Sequence, residues 1–411
     1  MNVLIVTQYF WPENFRINDL VLGLQERGHL VTVLTGIPNY PTGKYFVGYG
    51  LFKKLKDDYQ GISVLRVPLV PRGDGNGIRL ILNYLSYALS ASVIGPFLCR
   101  GKYDVIFVFE PSPITVGIPA FILKKTTSAP ILFWVQDLWP ESLSATGAVR
   151  SKIILAAVTW LVRLIYKGCD RILVTSRAYI DKIEKLGVSS ERLYYFPQYT
   201  EELYQPVVIE PDAVERSLVP NGFRIMFAGN IGAAQDFSTI IEAAGILKAY
   251  RDIHWIVIGD GRMRKWVDSE VRKRGLSDFV HLIGRYPVES MPRFYSLADV
   301  MLVTLKKDPL FALTIPAKVQ SYFACGKPII AALDGEGGRL MRESQAGISC
   351  SAEDPNALAE AVLKMYTMPK TEREMMGRHG RDYYLKYFER NMLIDRLQMW
   401  MKDLSTEVAN H

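Results

Sequence analysis

Cysteine, histidine and several diagnostic motifs are scarce in this chain of 411 residues. Its four cysteines, Cys99, Cys169, Cys325 and Cys350, lie far apart with no C-x-x-C pair. That argues against a zinc ribbon or a disulfide framework and suits a reducing compartment. Of the five histidines, none follows a strand-like run in the first half, so no histidine base or metal cluster is apparent. There is no D-x-D pair, and the missing G-x-G-x-x-G disfavours a simple nucleotide-dependent dehydrogenase. The opening MNVLIV lacks a basic n-region and a small-residue cleavage site, and so predicts a first buried strand rather than a signal peptide. Low-complexity segments and solenoid periods are also absent. The least charged stretch, 80–98, lies between Arg79 and Arg100 and is interrupted by Asn83, three serines, Gly95 and Pro96. Within it Ile81, Leu82, Leu85, Leu89 and Val93 recur at helical spacing, which predicts a core or membrane-surface helix rather than a spanning one.

What is present is apolar mass: 49% hydrophobic against 22% charged residues, over a length that suits two domains. The net charge of +7 is uneven. Residues 1–200 hold 22 Lys/Arg against 14 Asp/Glu, a net +8; the remainder hold 27 against 28. A basic first half fits phospholipid headgroups or a lipid diphosphate, with a generally soluble surface as the plainer alternative. No compact basic cluster or recognition module points to nucleic acid.

Short Val/Ile/Leu-rich runs alternate with helical patterns. Strands are predicted at 3–7, 30–35, 63–67, 104–109, 131–135, 171–175 and 193–196, then, after a polar, proline-bearing linker from 197 to about 221, at 224–228, 255–258, 280–283, 300–303 and 329–333. The alternation implies α/β architecture: two Rossmann-like, doubly wound parallel sheets facing across a cleft. The predicted boundaries are 1–200, 201–385, and a last helix at 386–411 crossing back to the first domain. Ligands of such sheets bind outside the carboxyl ends of the strands.

In the second half three glycine turns occupy such ends. In FAGNIGAAQD (227–236), Gly229 and Gly232 let backbone approach a phosphate at the start of a helix, although a plain strand-to-helix turn reads the same way. IGDGRMRKW carries Gly259, Asp260 and Gly261; LDGEGGR carries Glu336 and Gly337, a carboxylate suited to sugar or ribose hydroxyls or else a solvated loop glutamate. In ALTIPAKVQSYFACG a helix is predicted from 316, with Thr314 near its cap. Lys318 in its first turn opposes the macrodipole at a cost on the order of 0.3–1 kcal/mol, which a diphosphate would relieve. Arg285, just past a strand, is a second candidate cation.

In the first half the strand ends carry carboxylates: Glu13 in QYFWPENFR, Glu110, and Asp137 in FWVQDLWPES. Such loops are where catalytic groups usually sit, and helix capping is the plainer role. Asp137 lies among Trp134, Trp139 and Pro140, where desolvation would tune its pKa.

Taken together, these residues resemble the retaining glycosyltransferases of family 4, which have the GT-B fold. The resemblance spans nearly the whole chain. It runs through QYFWPENFRINDLVLGLQERGHLVTVLT, AGNIG, the GDG turn, LIGR, the Tyr-x-x-Ala-Asp-Val run at 295–300 and ACGKPI at 324–329. IPNYPTGKY, VPRGDG, LNYLSYALSAS, VQDLWPESL and IPAKVQSYFACGKPII are similar to the bacterial O-antigen and capsule branch, such as the N-acetyl-L-fucosamine transferases.

The resemblance implies a donor site of Gly229, Asn230, Gly232, Gln235, Gly259, Asp260, Gly261, Arg285, Lys318, Ser321, Glu336 and Gly337. It implies an acceptor side of Glu13, Asn14, Arg16, Glu110 and Trp139, with Asp137 assisting or orienting the acceptor hydroxyl and Lys318 joining it as a catalytic group. The chain departs from the family where Asn230 or Ile231 and Gln235 replace an Arg and a Lys, and where Leu313 and Ser321 stand for the two glutamates of Glu-x7-Glu. Lys318 is expected to compensate. The implied reaction retains anomeric configuration, moving a sugar from a nucleotide donor, UDP in the first place, to a polyprenyl-diphosphate-linked saccharide. It would take place at the cytoplasmic face of the membrane, with no metal or other cofactor. A non-catalytic nucleotide-sugar-binding subunit and a nucleotide-sugar epimerase of the same architecture are the alternatives.

Overall fold

The structure, a computed structural model, describes residues 1–73, 77–145 and 151–409. Asp74 and Gly75 of VPRGDG lie outside the described residues. The chain groups into two compact units, Met1–Pro197 with Asn391–His411, and Gln198–Arg390.

The first unit holds β1 (Asn2–Val6), β2 (Leu30–Gly36), β3 (Lys56–Tyr59), β4 (Ile62–Val67), β5 (Val105–Glu110), β6 (Ile131–Val135), β7 (Arg171–Val174) and β8 (Leu193–Tyr195). They form one sheet in the order β3-β4-β2-β1-β5-β6-β7-β8, parallel except for β3 against β4. Strands such as VIFVFE of β5 are buried at every position, as a sheet covered on both faces requires. β3, reading KDDY, is an edge strand with no apolar run, so periodicity does not reveal it. The order reverses between β1 and β5, which makes the loops after those strands the crevice of this sheet.

Helix Gly77–Leu98 resolves the ambiguity of the uncharged stretch. Its inward side carries Asn83, Ala88, Ala91 and Gly95 with one large ring, Tyr87, and a Cβ on Gly95 would lie 3.1 Å from Leu34, so the helix sits close to the sheet. The large residues read from helical spacing, Ile81, Leu82, Leu85, Leu89 and Val93, face outward and are all exposed, as is Phe97. The final helix, Arg390–Ala409, joins this unit through Arg27 to Asp395, His29 to Gln398, and Arg171 to Glu407.

The second unit holds β9 (Phe223–Ala228), β10 (Ile253–Ile258), β11 (Val280–Gly284), β12 (Val300–Thr304), β13 (Ile329–Ala332) and β14 (Gly347–Cys350) in the parallel order β11-β10-β9-β12-β13-β14. β14, GISC, is short and only half-buried, and the sequence reading passes over it. Alternate side chains build two cores. Met226, Ile256, Met301 and Val303 pack with Val319, Tyr322 and Phe323 on one face. Ile225, Phe227, Trp255 and Leu302 pack with Ile240 and Ile241 on the other. Here the order reverses between β9 and β12, which places the turn at 229–232 at the switch point.

Candidate active site

In the second unit, the turns after β9 and β10 are built against each other. The Ile231 amide donates to the Asp260 carbonyl at 2.8 Å, the Met263 amide to the Ile231 carbonyl at 3.0 Å, and the Gly259 amide to the Gly284 carbonyl at 2.8 Å. Gly259 has φ of 142°, and a Cβ there would stand 1.9 Å from the Gly229 carbonyl oxygen; on Gly261 it would stand 2.4 Å from that of Ile231. These two glycines are therefore required by close packing of the turns, while the exposed Asp260 accepts from the Gly261 amide. Gly259→Ala is expected to cost roughly 2–4 kcal/mol, read as a lower midpoint of chemical denaturation at unchanged m-value.

Gly229 differs. It is exposed, has φ of 143°, and the only atoms near its missing Cβ are Nζ of Lys318 at 3.4 Å and Cε at 3.6 Å. Lys318 lies 3.8 Å over the Phe227 ring and donates to Gln235 Oε1 at 2.9 Å. Among the described residues no carboxylate pairs with it, and burial lowers its pKa to about 7. An amine held by an amide oxygen and an aromatic face, beside bare backbone at a switch point, has the chemistry to receive an anion. The helix begins at Lys318 itself, because Pro316 and Ala317 still belong to the preceding turn and Thr314 closes the short 3-10 segment Phe311–Leu313. Thr314 is thus not its cap.

The strand ends also bring in Thr304, whose hydroxyl donates to the Gln235 carbonyl, and Lys306, whose amide donates to the Ala234 carbonyl. Both escaped the sequence reading, since nothing in a lone Thr or Lys after a strand marks it. Arg285 is exposed just past β11 and makes no ion pair among the described residues. Asn230 is exposed beside Gly232.

Two expected donor ligands are engaged elsewhere. Ser321 is buried, with its hydroxyl 2.9 Å from that of Thr200, because it lies on the inner side of its helix. Glu336 is not in a flexible loop: helix Gly335–Ser344 starts there, and Arg339 pairs with its carboxylate at 2.8 Å. Gly337 is buried where a Cβ would strike Leu333 at 2.7 Å, and so is a packing residue.

In the first unit, Glu13 is 2% exposed. Its carboxylate accepts from the amides of Asn39 and Tyr40 at 2.7 Å and of Phe10 at 3.3 Å. It ties the loops after β1 and β2 together instead of lying open to an acceptor; burial, against those amides, pushes its pKa up to about 7. Glu13→Ala would orphan three amides and is expected to cost roughly 3–5 kcal/mol of unfolding free energy, measured by urea titration.

Asn14 is exposed, and Arg16 is half-buried at the start of helix Arg16–Glu26. Trp139 is buried, and Glu110 wholly so, which withdraws both from direct contact with an acceptor. Asp137 is half-buried, and burial raises its pKa to about 7. Sequence reasoning missed an aromatic platform at the same strand ends. Tyr9 stacks on Phe15 at 5.1 Å, Tyr40 lies 5.8 Å from Tyr9, and the Arg72 guanidinium sits 4.9 Å over Tyr40. Such rings bind sugar faces well, but isolated tyrosines in a loop give no sequence signal of meeting.

Residues 14–198 match the family described as Glycosyl transferase 4-like domain, and residues 222–368 the one described as Glycosyl transferases group 1. WbjE of Pseudomonas aeruginosa, which bears a glycosyltransferase name, is 30% identical over 71% of this chain and 73% of its own length. WcaI of Escherichia coli K12, which bears the name of a colanic acid biosynthesis glycosyl transferase, is 23% identical over 90% of this chain and 93% of its own. Among solved structures, Anabaena HepE in complex with UDP and glucose superimposes with a TM-score of 0.70 at 14% identity, over 97% of this chain and 99% of that one. With the two parallel sheets, these matches show that the chain belongs to the group 1, family-4-like glycosyltransferases of GT-B fold.

Proposed function

We propose that the second unit binds the diphosphate of a nucleotide sugar, UDP in the first place, at the Gly229 turn, and that the first unit binds the acceptor beside Asp137. The observation that carries this reading is Lys318: a half-buried amine with no carboxylate partner among the described residues, 3.4 Å from the missing Cβ of an exposed strand-end glycine. Its ammonium stands in for the family lysine that Gln235 replaces, and Arg285 supplies further positive charge, so no metal is needed. The acceptor hydroxyl oxygen bonds to the anomeric carbon as the bond from that carbon to the diphosphate breaks. Asp137 receives or orients the hydroxyl proton, and configuration is retained. Catalysis then rests on placement and charge stabilisation. UDP binding followed by calorimetry, with wild type and Lys318→Ala side by side, tests the donor site; equal affinity would refute it.

The acceptor in this reading is a saccharide on polyprenyl diphosphate in bacterial O-antigen or capsule synthesis, in keeping with the name of WcaI. The enzyme works at the inner face of the cell membrane. Helix Gly77–Leu98 supports this: it is long and apolar enough to span a bilayer, yet lies along the unit with Ile81, Leu85, Leu89, Val93 and Phe97 exposed. Trp160 and Leu164 are exposed on helix Lys152–Gly168, whose neighbour Gly117–Thr127 also packs on Gly77–Leu98. An apolar row with Arg79 and Arg100 at its ends suits the interface of anionic lipid. The wild-type protein is expected to float with phosphatidylglycerol vesicles at low salt, and Leu85→Glu/Leu89→Glu to remain at the bottom of the gradient. Equal flotation of the two would remove this helix from the reading.

A further inference from the structure

We infer that Glu110 is a neutral carboxylic acid in the folded protein and shares one proton with Asp137, so that it positions Asp137 without touching the acceptor. This rests on the placement of Asp137 at the acceptor, proposed above.

Glu110 ends β5 and is 0% exposed. In β-sheet register it stands opposite Val135, the last residue of β6, and Asp137 follows two residues on in the loop at that strand end. Among the described residues no donor meets either oxygen of the Glu110 carboxyl in good hydrogen-bond geometry, although the Asp137 and Gln136 amides and the Trp139 indole N–H face it, and the Trp139 indole and the Tyr166 hydroxyl are themselves buried without a partner. A carboxylate in that setting would carry an uncompensated buried charge, at a cost of several kcal/mol.

The groups that face it supply no cation. They are Asp137, Gln136 and Trp139 after β6, and Tyr166 on helix Lys152–Gly168. Around these lie Glu141 and Tyr179 beside Tyr166, and Tyr84 of helix Gly77–Leu98 beside Asp137. Burial and then the Asp137 charge both push the Glu110 carboxyl well above the usual range. Two carboxyls that feel each other in a dry site hold one proton between them over a range of pH, because the second ionisation would place two like charges together.

The consequence is chemical. Above pH 7 the pair is a monoanion with its charge on the half-buried Asp137, the member that an acceptor can reach. On attack, the acceptor O–H bond breaks and its proton joins the Asp137 carboxylate, as the O–C bond forms and the diphosphate departs with its electron pair. Glu110 retains its own proton throughout and keeps the negative charge on Asp137.

Infrared difference spectroscopy of the intact protein tests this without substrate. Wild type at pH 9, where Glu13 and Asp137 are both ionised, is expected to show the C=O band of a protonated carboxylic acid, persisting in Asp137→Asn and lost in Glu110→Gln. Glu110→Gln, which keeps a neutral side chain of the same shape, should leave the acid limb set by Asp137 and the alkaline limb set by Lys318 near their wild-type positions, whereas a shift of the acid limb to lower pH would show that an ionised Glu110 had been removed from beside Asp137. Absence of the band from wild type overturns the inference even if the variant fails to fold, as does a band unchanged in Glu110→Gln. The failure of the underlying reading is separate: Asp137→Asn would then turn over normally with the band still in place.

Discussion

Lys318→Ala is expected to lower kcat/KM roughly 10²- to 10³-fold, the loss usual when a preorganised charge on a developing anion is removed. That corresponds to about 2.7–4 kcal/mol of transition-state stabilisation. Folding should survive, because the side chain has a single hydrogen-bond partner, Gln235, and leaves behind only an amide oxygen at a half-buried edge. A purely structural lysine would show the reverse pattern, with lost stability and retained turnover.

The same residue sets a pH dependence with a definite sign. In the free protein burial lowers the Lys318 pKa to about 7. A bound diphosphate favours the ammonium and raises that value, so above pH 7 binding takes up a proton. The Kd for UDP is therefore expected to rise about tenfold per pH unit above 7 until the pKa of the complex is reached. Calorimetry at several pH values, in buffers of different ionisation enthalpy, measures that proton uptake directly. Lys318→Ala should bind weakly and without the slope.

Asp137→Asn carries the second large expected effect, a fall in kcat of roughly 10²- to 10⁴-fold at saturating acceptor. Burial raises Asp137 to about 7, so it is charged above that pH and neutral below it. Its contribution as a proton acceptor is thus lost as pH falls below 7, whereas that of Lys318 is lost as pH rises above 7 in the unliganded protein. Wild-type kcat/KM should follow a bell centred near neutrality. Asp137→Asn should remove the acid limb and Lys318→Ala the limb due to the amine. A near-normal rate for Asp137→Asn with saturating acceptor would show that the carboxylate neither receives nor orients the proton.

Much of the fold was legible beforehand because buried parallel strands write themselves as continuous apolar runs. VLIV, VIFVF and IVIG announce β1, β5 and β10 with little help from their surroundings. β3 and β14 were not legible, since a charged edge strand and a half-buried four-residue strand owe their existence to the neighbours they pair with. Helix Gly77–Leu98 was legible as a helix, but not in orientation: its large aliphatic residues read as a core face, and only the close approach of Gly95 to Leu34 shows that the side with Asn83, Tyr87, Ala88 and Ala91 faces inward.

For the site, strand order within a sheet and side-chain direction mattered more than residue type. The sequence by itself determined that the chain makes two doubly wound sheets, that glycine turns and carboxylates fall at strand ends, and that Lys318 heads a helix, because these follow from local periodicity and chain chemistry. Only the tertiary structure decided that Lys318 reaches back to Gly229 and Gln235, that Glu13, Ser321 and Glu336 are taken up by protein partners, and that Glu110 is sealed beside Asp137. Those outcomes depend on which distant segments share a sheet edge and how much water remains there, and neither quantity is written in any one stretch of chain.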